Sequence, residues 1–153
     1  MSVEEGADLP DLELTGADGP IRLRSFVGKP FVLYFYPKDD TGGCTKEAQE
    51  FSAALPDFAK AGVAVLGVSK DTAAKHAKFT AKYDLTVPLA SDEQEVIEAF
   101  GAWVPKVLYG RDYMGIDRST WLFDASGKLV RTWRKVKVPG HVEQVLAAVK
   151  ELS

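Results

Sequence analysis

Cysteine occurs once in this chain of 153 residues, at position 44. It sits in the stretch FYPKDDTGGCTKEAQEF, Phe35 to Phe51. A sulfur there admits two readings. It is a small apolar side chain filling a core, as cysteines often are, or it is a nucleophile, which requires something to hold it as a thiolate. Ala48, Phe51, Leu55 and Phe58 recur three and four apart and predict a helix. Continued backward, that stripe lands on Cys44 in the first turn. Unpaired N–H groups and the positive end of the helix dipole favour an anion there, by roughly 0.3–1 kcal/mol. That is too little to hold a thiolate alone, so the nucleophile reading needs a cation. Arg118 is the candidate, with an ordinary surface arginine as its alternative.

The elements around these residues give the reason for choosing Arg118. FVLYFY (31–36) and VAVLGV (63–68) are short, continuous apolar runs, the pattern of strands buried on both faces. With the helix between them they form a βαβ unit, whose crossover is expected to be right-handed. Pro56 is expected to kink or interrupt that helix. DLELTGADGPIRLRSF alternates about a Gly-rich turn and reads as an N-terminal β-hairpin. Helical patterns follow at Thr72–Tyr83 and Glu93–Phe100, and GAWVPKVLYG between them and the next strand reads as loop. STWLFDASGKLVRTWRKVKV gives two strands joined at Ala-Ser-Gly, and GHVEQVLAAVKEL closes the chain as an amphipathic helix. The whole reads as one α/β domain over residues 1–153, thioredoxin-like, with a mixed central β-sheet flanked by helices. In that fold STWLFD runs antiparallel to FVLYFY. Arg118, at the start of one strand, then lies near the end of the other, beside the loop that carries Cys44.

Composition excludes several function classes. A net charge of −3 argues against general binding to nucleic acid or an anionic membrane. No apolar run reaches the roughly 20 residues that span a bilayer, and the acidic N-terminus lacks the features of a secretory signal. A single cysteine permits no internal disulfide, so a cytoplasmic location is expected. A phosphatase loop fails because Glu50 stands where its arginine is needed, six residues after Cys44. GVSKD resembles a nucleophile elbow only superficially, since Asp71 replaces the final glycine. One cysteine and two scattered histidines make no zinc site, so no metal is expected. His76 and His141 read as surface or helix-cap residues. The basic stretch RTWRKVK (131–137) reads as an exposed strand with charged gatekeepers. Trp103 and Trp121 read as packing residues, with Trp103 and Tyr109 also candidates to line a substrate approach.

Pro37-Lys-Asp-Asp-Thr41-Gly-Gly-Cys44 resembles the Pro-x-x-x-Thr-x-x-Cys motif of the peroxiredoxins. GVSKD (67–71), KYDL (82–85), PLASD (88–92), RSTWLFD (118–124) and WRKVKV (133–138) extend the resemblance over nearly the whole chain, toward the bacterioferritin comigratory protein or peroxiredoxin Q branch. It implies thiol-dependent reduction of hydrogen peroxide and organic hydroperoxides, an antioxidant role, and no cofactor. Cys44 takes the peroxidatic position, and Pro37, Thr41 and Arg118 complete the site. Thr41 would place a hydroxyl near sulfur and peroxide, or simply cap the helix. Pro37 would shield the pocket, or simply end the strand. Glu47 would bond Arg118 or Thr41, or only complement the helix dipole. Gly43, with Gly42, would let backbone approach a substrate closely.

Two departures stand out. Gly42 replaces the proline usual in the branch, and Gln49 replaces the resolving cysteine of many relatives. A sulfenic acid on Cys44 would therefore be met by an external thiol such as thioredoxin, a glutaredoxin or glutathione. The expected protein is a monomer. A monothiol disulfide exchanger, or a non-catalytic thioredoxin-like redox sensor, is the competing reading.

Overall fold

The computed structural model describes residues 3–152. Among these described residues nine strands occur, in order β1 (Glu13–Gly16), β2 (Gly19–Arg22), β3 (Phe31–Phe35), β4 (Ala64–Ser69), β5 (Leu89–Ser91), β6 (Trp103–Leu108), β7 (Arg111–Ile116), β8 (Ser119–Phe123) and β9 (Leu129–Trp133). The helices are α1 (Gly42–Lys60), α2 (Ala73–Tyr83), α3 (Val96–Ala99) and α4 (His141–Lys150). Seven strands form one mixed sheet in the order β2-β1-β5-β4-β3-β8-β9. β3, β4 and β5 are parallel, and β8 lies antiparallel to β3.

The continuous apolar run of β3 follows from its central place. Phe31, Leu33 and Phe35 enter one core with Leu66, Val68, Trp121, Phe123 and Phe100. Val32, Tyr34 and Tyr36 enter a second core, where α1 contributes Cys44, Ala48, Phe51 and Phe58 and α4 contributes Val142, Val145 and Val149. Alternate residues feed opposite cores because strand side chains alternate. Glycine at position 67 is required here, because a Cβ would lie 2.5 Å from Tyr34 Cζ.

Three expectations change. Of the kink or interruption expected at Pro56, the interruption does not occur, since α1 continues through it. A proline there withholds the N–H that would reach the Ser52 carbonyl four residues back. That carbonyl instead accepts from the Thr86 hydroxyl at 3.2 Å, and the Ser52 hydroxyl accepts from the Thr86 and Val87 N–H groups at 3.0 Å. The helix expected over Glu93–Phe100 shortens to Val96–Ala99, because the Asp92 carboxylate takes the Gln94, Val96 and Ile97 N–H groups and Glu95 turns at φ 60°. The segment read as loop is the first arm of a hairpin, β6–β7, which pairs only with itself. Its turn uses Tyr109 and Gly110, at φ 52° and 74°. Among the described residues, no helix is long and apolar enough to cross a membrane.

Candidate active site

Register places the two principal residues. Phe35 pairs with Ser119 across the β3–β8 ladder, so Arg118 enters at the level where β3 ends and the chain turns toward α1. The Val136 N–H donates to the Arg118 carbonyl at 2.9 Å and fixes that backbone. Arg118 then reaches across to α1. Its Nη2 donates to Cys44 Sγ at 3.2 Å, and its Nη1 donates to Glu47 Oε1 at 2.7 Å. Cys44 and Glu47 lie three apart on the helix and share a face, so one planar guanidinium serves both.

All three groups are withdrawn from water. Cys44 is 2% exposed, the Glu47 side chain is fully buried, and the Arg118 side chain is 17% exposed. Burial pushes the Glu47 carboxyl up to about 7, against the pull of Arg118, with Glu50 adding to the rise. Burial alone would lower the Arg118 pKa, but Glu47 and Cys44 outweigh it and hold it above its ordinary value. Glu47 Oε2 is buried without a hydrogen-bond partner among the described residues. Gly43 leaves room for the guanidinium, since a Cβ there would stand 3.1 Å from Arg118 Nη2.

The loop from Pro37 to Thr41 leads from β3 into the first turn of α1 and so borders Cys44 along the chain. Pro37 is half-buried at the end of β3. Thr41 occupies the N-cap position of α1 with extended backbone, yet its hydroxyl makes no cap bond. It donates instead to the Lys38 carbonyl at 2.8 Å, leaving its lone pairs free to accept. Asp40 adopts φ 58°, which aspartate tolerates. Its carboxylate accepts from Lys82 Nζ at 2.8 Å and the Tyr83 hydroxyl at 2.6 Å.

The structure thus brings Cys44, Glu47, Gly43 and Arg118 together and sets Pro37 and Thr41 on the adjoining loop. Tyr109 is 96% exposed at the hairpin tip. Trp103 packs partly against the core under Lys70, whose Nζ is 4.9 Å from the ring centroid. Gln49 is exposed, and five positions along a helix turn it about 140° away from Cys44.

The histidines read as surface or helix-cap residues are both buried, His76 at 6% within α2 and His141 at 3% at the start of α4. His141, the first residue of α4, lies 2.7 Å from the Thr120 hydroxyl and edge-on to Phe51 and Trp133. Burial, then the field of Arg118, lowers its pKa to about 4. His76 meets Asp39 of the Pro37–Thr41 loop at 2.6 Å. That contact spans 37 positions in sequence, and only the pairing of the loop with α2 reveals it.

Chemically, the arrangement is a sulfur at a helix start, a guanidinium fixed against it by a buried carboxylate, and a hydroxyl acceptor nearby. Such a set can hold a sulfur anion and stabilise negative charge as it moves to a neighbouring oxygen.

Comparison with known proteins agrees with this. The AhpC/TSA family pattern matches residues 6–132. The chain is 46% identical to peroxiredoxin Bcp of Bacillus subtilis, over all of this chain and 99% of that one. It is 48% identical to peroxiredoxin Bcp of Xanthomonas campestris, over 94% of this chain and 89% of that one. Among solved structures it is similar to the bacterioferritin comigratory protein of Xanthomonas campestris, described for its alkyl peroxide reduction activity, with TM-score 0.88 and 45% identity over 97% and 96% of the two chains.

Proposed function

The chain belongs to the AhpC/TSA family, among its Bcp-type peroxiredoxins, and from that footing we propose that Cys44 is the peroxidatic residue of a thiol-dependent peroxidase acting on hydrogen peroxide and organic hydroperoxides. One observation carries the reading: the Arg118 fork that reaches Cys44 Sγ at 3.2 Å while Glu47 holds its other nitrogen at 2.7 Å.

The proposed cycle uses this geometry. The Cys44 thiolate attacks the terminal oxygen of the peroxide. A sulfur–oxygen bond forms as the oxygen–oxygen bond breaks, and the electron pair leaves on the second oxygen. That oxygen takes a proton and departs as water or an alcohol, leaving Cys44 as a sulfenic acid. Negative charge moves from sulfur to oxygen during the step, and Arg118, already desolvated and oriented, meets it at both ends. The Thr41 hydroxyl has its hydrogen committed to Lys38 and accepts from the peroxide O–H, aligning the bond for attack. Pro37 shields the pocket without presenting a competing N–H. Gly43 keeps the guanidinium's place open, and Glu47 keeps the guanidinium in it.

The chain has no second cysteine, so the sulfenic acid is resolved from outside. An external thiol attacks Cys44 sulfur, water leaves, and a further thiol reduces the mixed disulfide. Thioredoxin, a glutaredoxin or glutathione supplies those thiols. The protein acts as a cytoplasmic monomer in antioxidant defence and uses no cofactor.

Arg118→Lys tests the fork. Lysine keeps the charge but cannot bond Cys44 and Glu47 together in one plane. Loss of a charge-assisted hydrogen bond, about 1.5–3 kcal/mol, should slow oxidation of Cys44 by hydrogen peroxide by roughly ten- to a hundredfold in rapid mixing. A rate within twofold of the native protein would refute the role given to Arg118.

A further inference from the structure

His76 belongs to none of the motifs above, and the cycle just described makes no use of it. It sits on α2 beneath the loop that borders the candidate site. His76 Nε2 faces the Ala90 carbonyl at 3.0 Å, and since a carbonyl can only accept, Nε2 carries a hydrogen. His76 Nδ1 lies 2.6 Å from Asp39 Oδ2, a short hydrogen bond. The Tyr36 hydroxyl donates to the other oxygen, Asp39 Oδ1, at 2.5 Å. Burial, then the neighbouring Tyr34 and Asp39, hold the Tyr36 phenol well above its ordinary range, so it remains a donor. The Asp39 N–H donates to Asp71 Oδ2 at 2.8 Å, and the Ser69 hydroxyl donates to the same oxygen at 2.7 Å. Asp39, His76 and Tyr36 are all at least nine-tenths buried.

This network spans the sheet's carboxyl edge. Tyr36 follows β3, Ser69 ends β4, Ala90 lies in β5, and His76 projects from α2. All converge on one loop residue, Asp39, which lies between Pro37 and Thr41. Both carboxylate oxygens and the backbone N–H of Asp39 are held. His76 is the member that ties this residue to a different helix and, through Ala90, back to the sheet.

We propose that His76 is a positioning residue for peroxide reduction: by clamping Asp39 between α2 and β5 it fixes the Pro37–Thr41 wall at the height that the Cys44–Arg118 pair requires. This rests on the peroxidase reading given above. His76 acts through Asp39 and the loop, not on the peroxide. Its effect therefore falls on chemistry that uses the wall and spares chemistry that uses only the sulfur. Attack on a peroxide needs the oxygen–oxygen bond aligned by Thr41, and a displacement on the order of 1 Å can cost a hundredfold. Alkylation of Cys44 by iodoacetamide needs no such wall.

Two variants separate positioning from mere support. The side-chain nitrogen of asparagine falls near the Nδ1 position of histidine, whereas that of glutamine falls near Nε2. His76→Asn therefore keeps a donor toward Asp39, and His76→Gln keeps one toward Ala90. The expected result is that His76→Asn oxidises with hydrogen peroxide within threefold of native. His76→Gln should slow by roughly tenfold or more, with its alkylation rate within twofold of native. If the variants react alike, or if alkylation falls in step with peroxide oxidation, the proposal is overturned. Should neither variant fold, Asp39→Ala, which leaves His76 without its partner, carries the same test from the loop side: a tenfold loss confined to peroxide supports the clamp, and parallel losses remove it. The native protein serves as the separate control. Were it to react with peroxide no faster than a free thiol, the peroxidase reading would fail, whatever the variants do.

Discussion

Between pH 4.5 and about 7, Glu47 retains in the folded protein a proton that it would release on unfolding, because burial raises its pKa from 4.5 to about 7. The folded state binds the extra proton, so this contribution favours folding fully below pH 4.5, fades as pH rises through about 7, and is constant above. Its ceiling is about 3–4 kcal/mol at about 1.4 kcal/mol per unit. Glu47→Gln removes this titration. Compared with that variant, the native protein should lose denaturant resistance between pH 5 and pH 8, as read from urea midpoints. Parallel midpoints for the two proteins across that range would show that Glu47 titrates normally in the fold. At this scale the sequence was legible in part. A helix start made Cys44 a candidate and the antiparallel relation of two apolar runs made Arg118 one, but position left both readings of each open, and the family resemblance supplied the functional one. The resemblance suggested Glu47 as a partner of Arg118 or Thr41, and it bonds Arg118. Thr41 stands at the helix cap but turns its hydroxyl to Lys38, which the spacing of the motif does not reveal. His76 was misread because a lone histidine on a helix carries no sign that an aspartate 37 positions away will face it.

At the scale of elements, the first turn of α1 invites a direct test. Gly42 is the first helical residue, a Cβ there would meet nothing within 4 Å, and Thr41 before it is extended, at φ −111° and ψ 156°. Proline is well suited to that position and compatible with an extended predecessor. Gly42→Pro should stabilise the protein by about 0.4–1 kcal/mol, mainly by restricting the unfolded chain. Thermal melting checks this, and a lowered melting temperature would mean that the Gly42 conformation is needed for something other than helix initiation. The strands and long helices were readable because their periods are local properties. β3 and β4 announce burial on both faces, and α2 starts at its Thr72 cap, where the hydroxyl accepts the Lys75 N–H at 3.2 Å. The failures have tertiary causes. α1 passes Pro56 because Thr86, thirty positions later, supplies the missing donor. β6 and β7 carry exposed apolar side chains, Val107, Leu108, Tyr113 and Met114, so no alternation of buried and exposed residues marks them as strands.

For the whole molecule, the sheet is what brings chemistry together. Cys44 and Arg118 are separated by 74 positions and meet because β3 and β8 are neighbours. Asp39 and His76 meet because β4 lies beside β3 and β5 beside β4, and the α2 that joins them returns to the loop. We propose that residues 1–153 act as one unit for that reason, since no half of the chain contains both the sulfur and its cation. In the cycle proposed here the single cysteine makes every turnover wait for a thiol from another molecule, and a long-lived sulfenic acid would be open to further oxidation. The most direct test mixes the fully reduced protein rapidly with substoichiometric hydrogen peroxide, follows tryptophan fluorescence and intact mass, and uses Cys44→Ser as control. The account predicts fast consumption of the peroxide, one added oxygen confined to Cys44 and trapped by dimedone, and none in the control. Oxidation no faster than that of a free thiol would contradict it, and would leave the Arg118 fork as the support of a redox sensor or binding module.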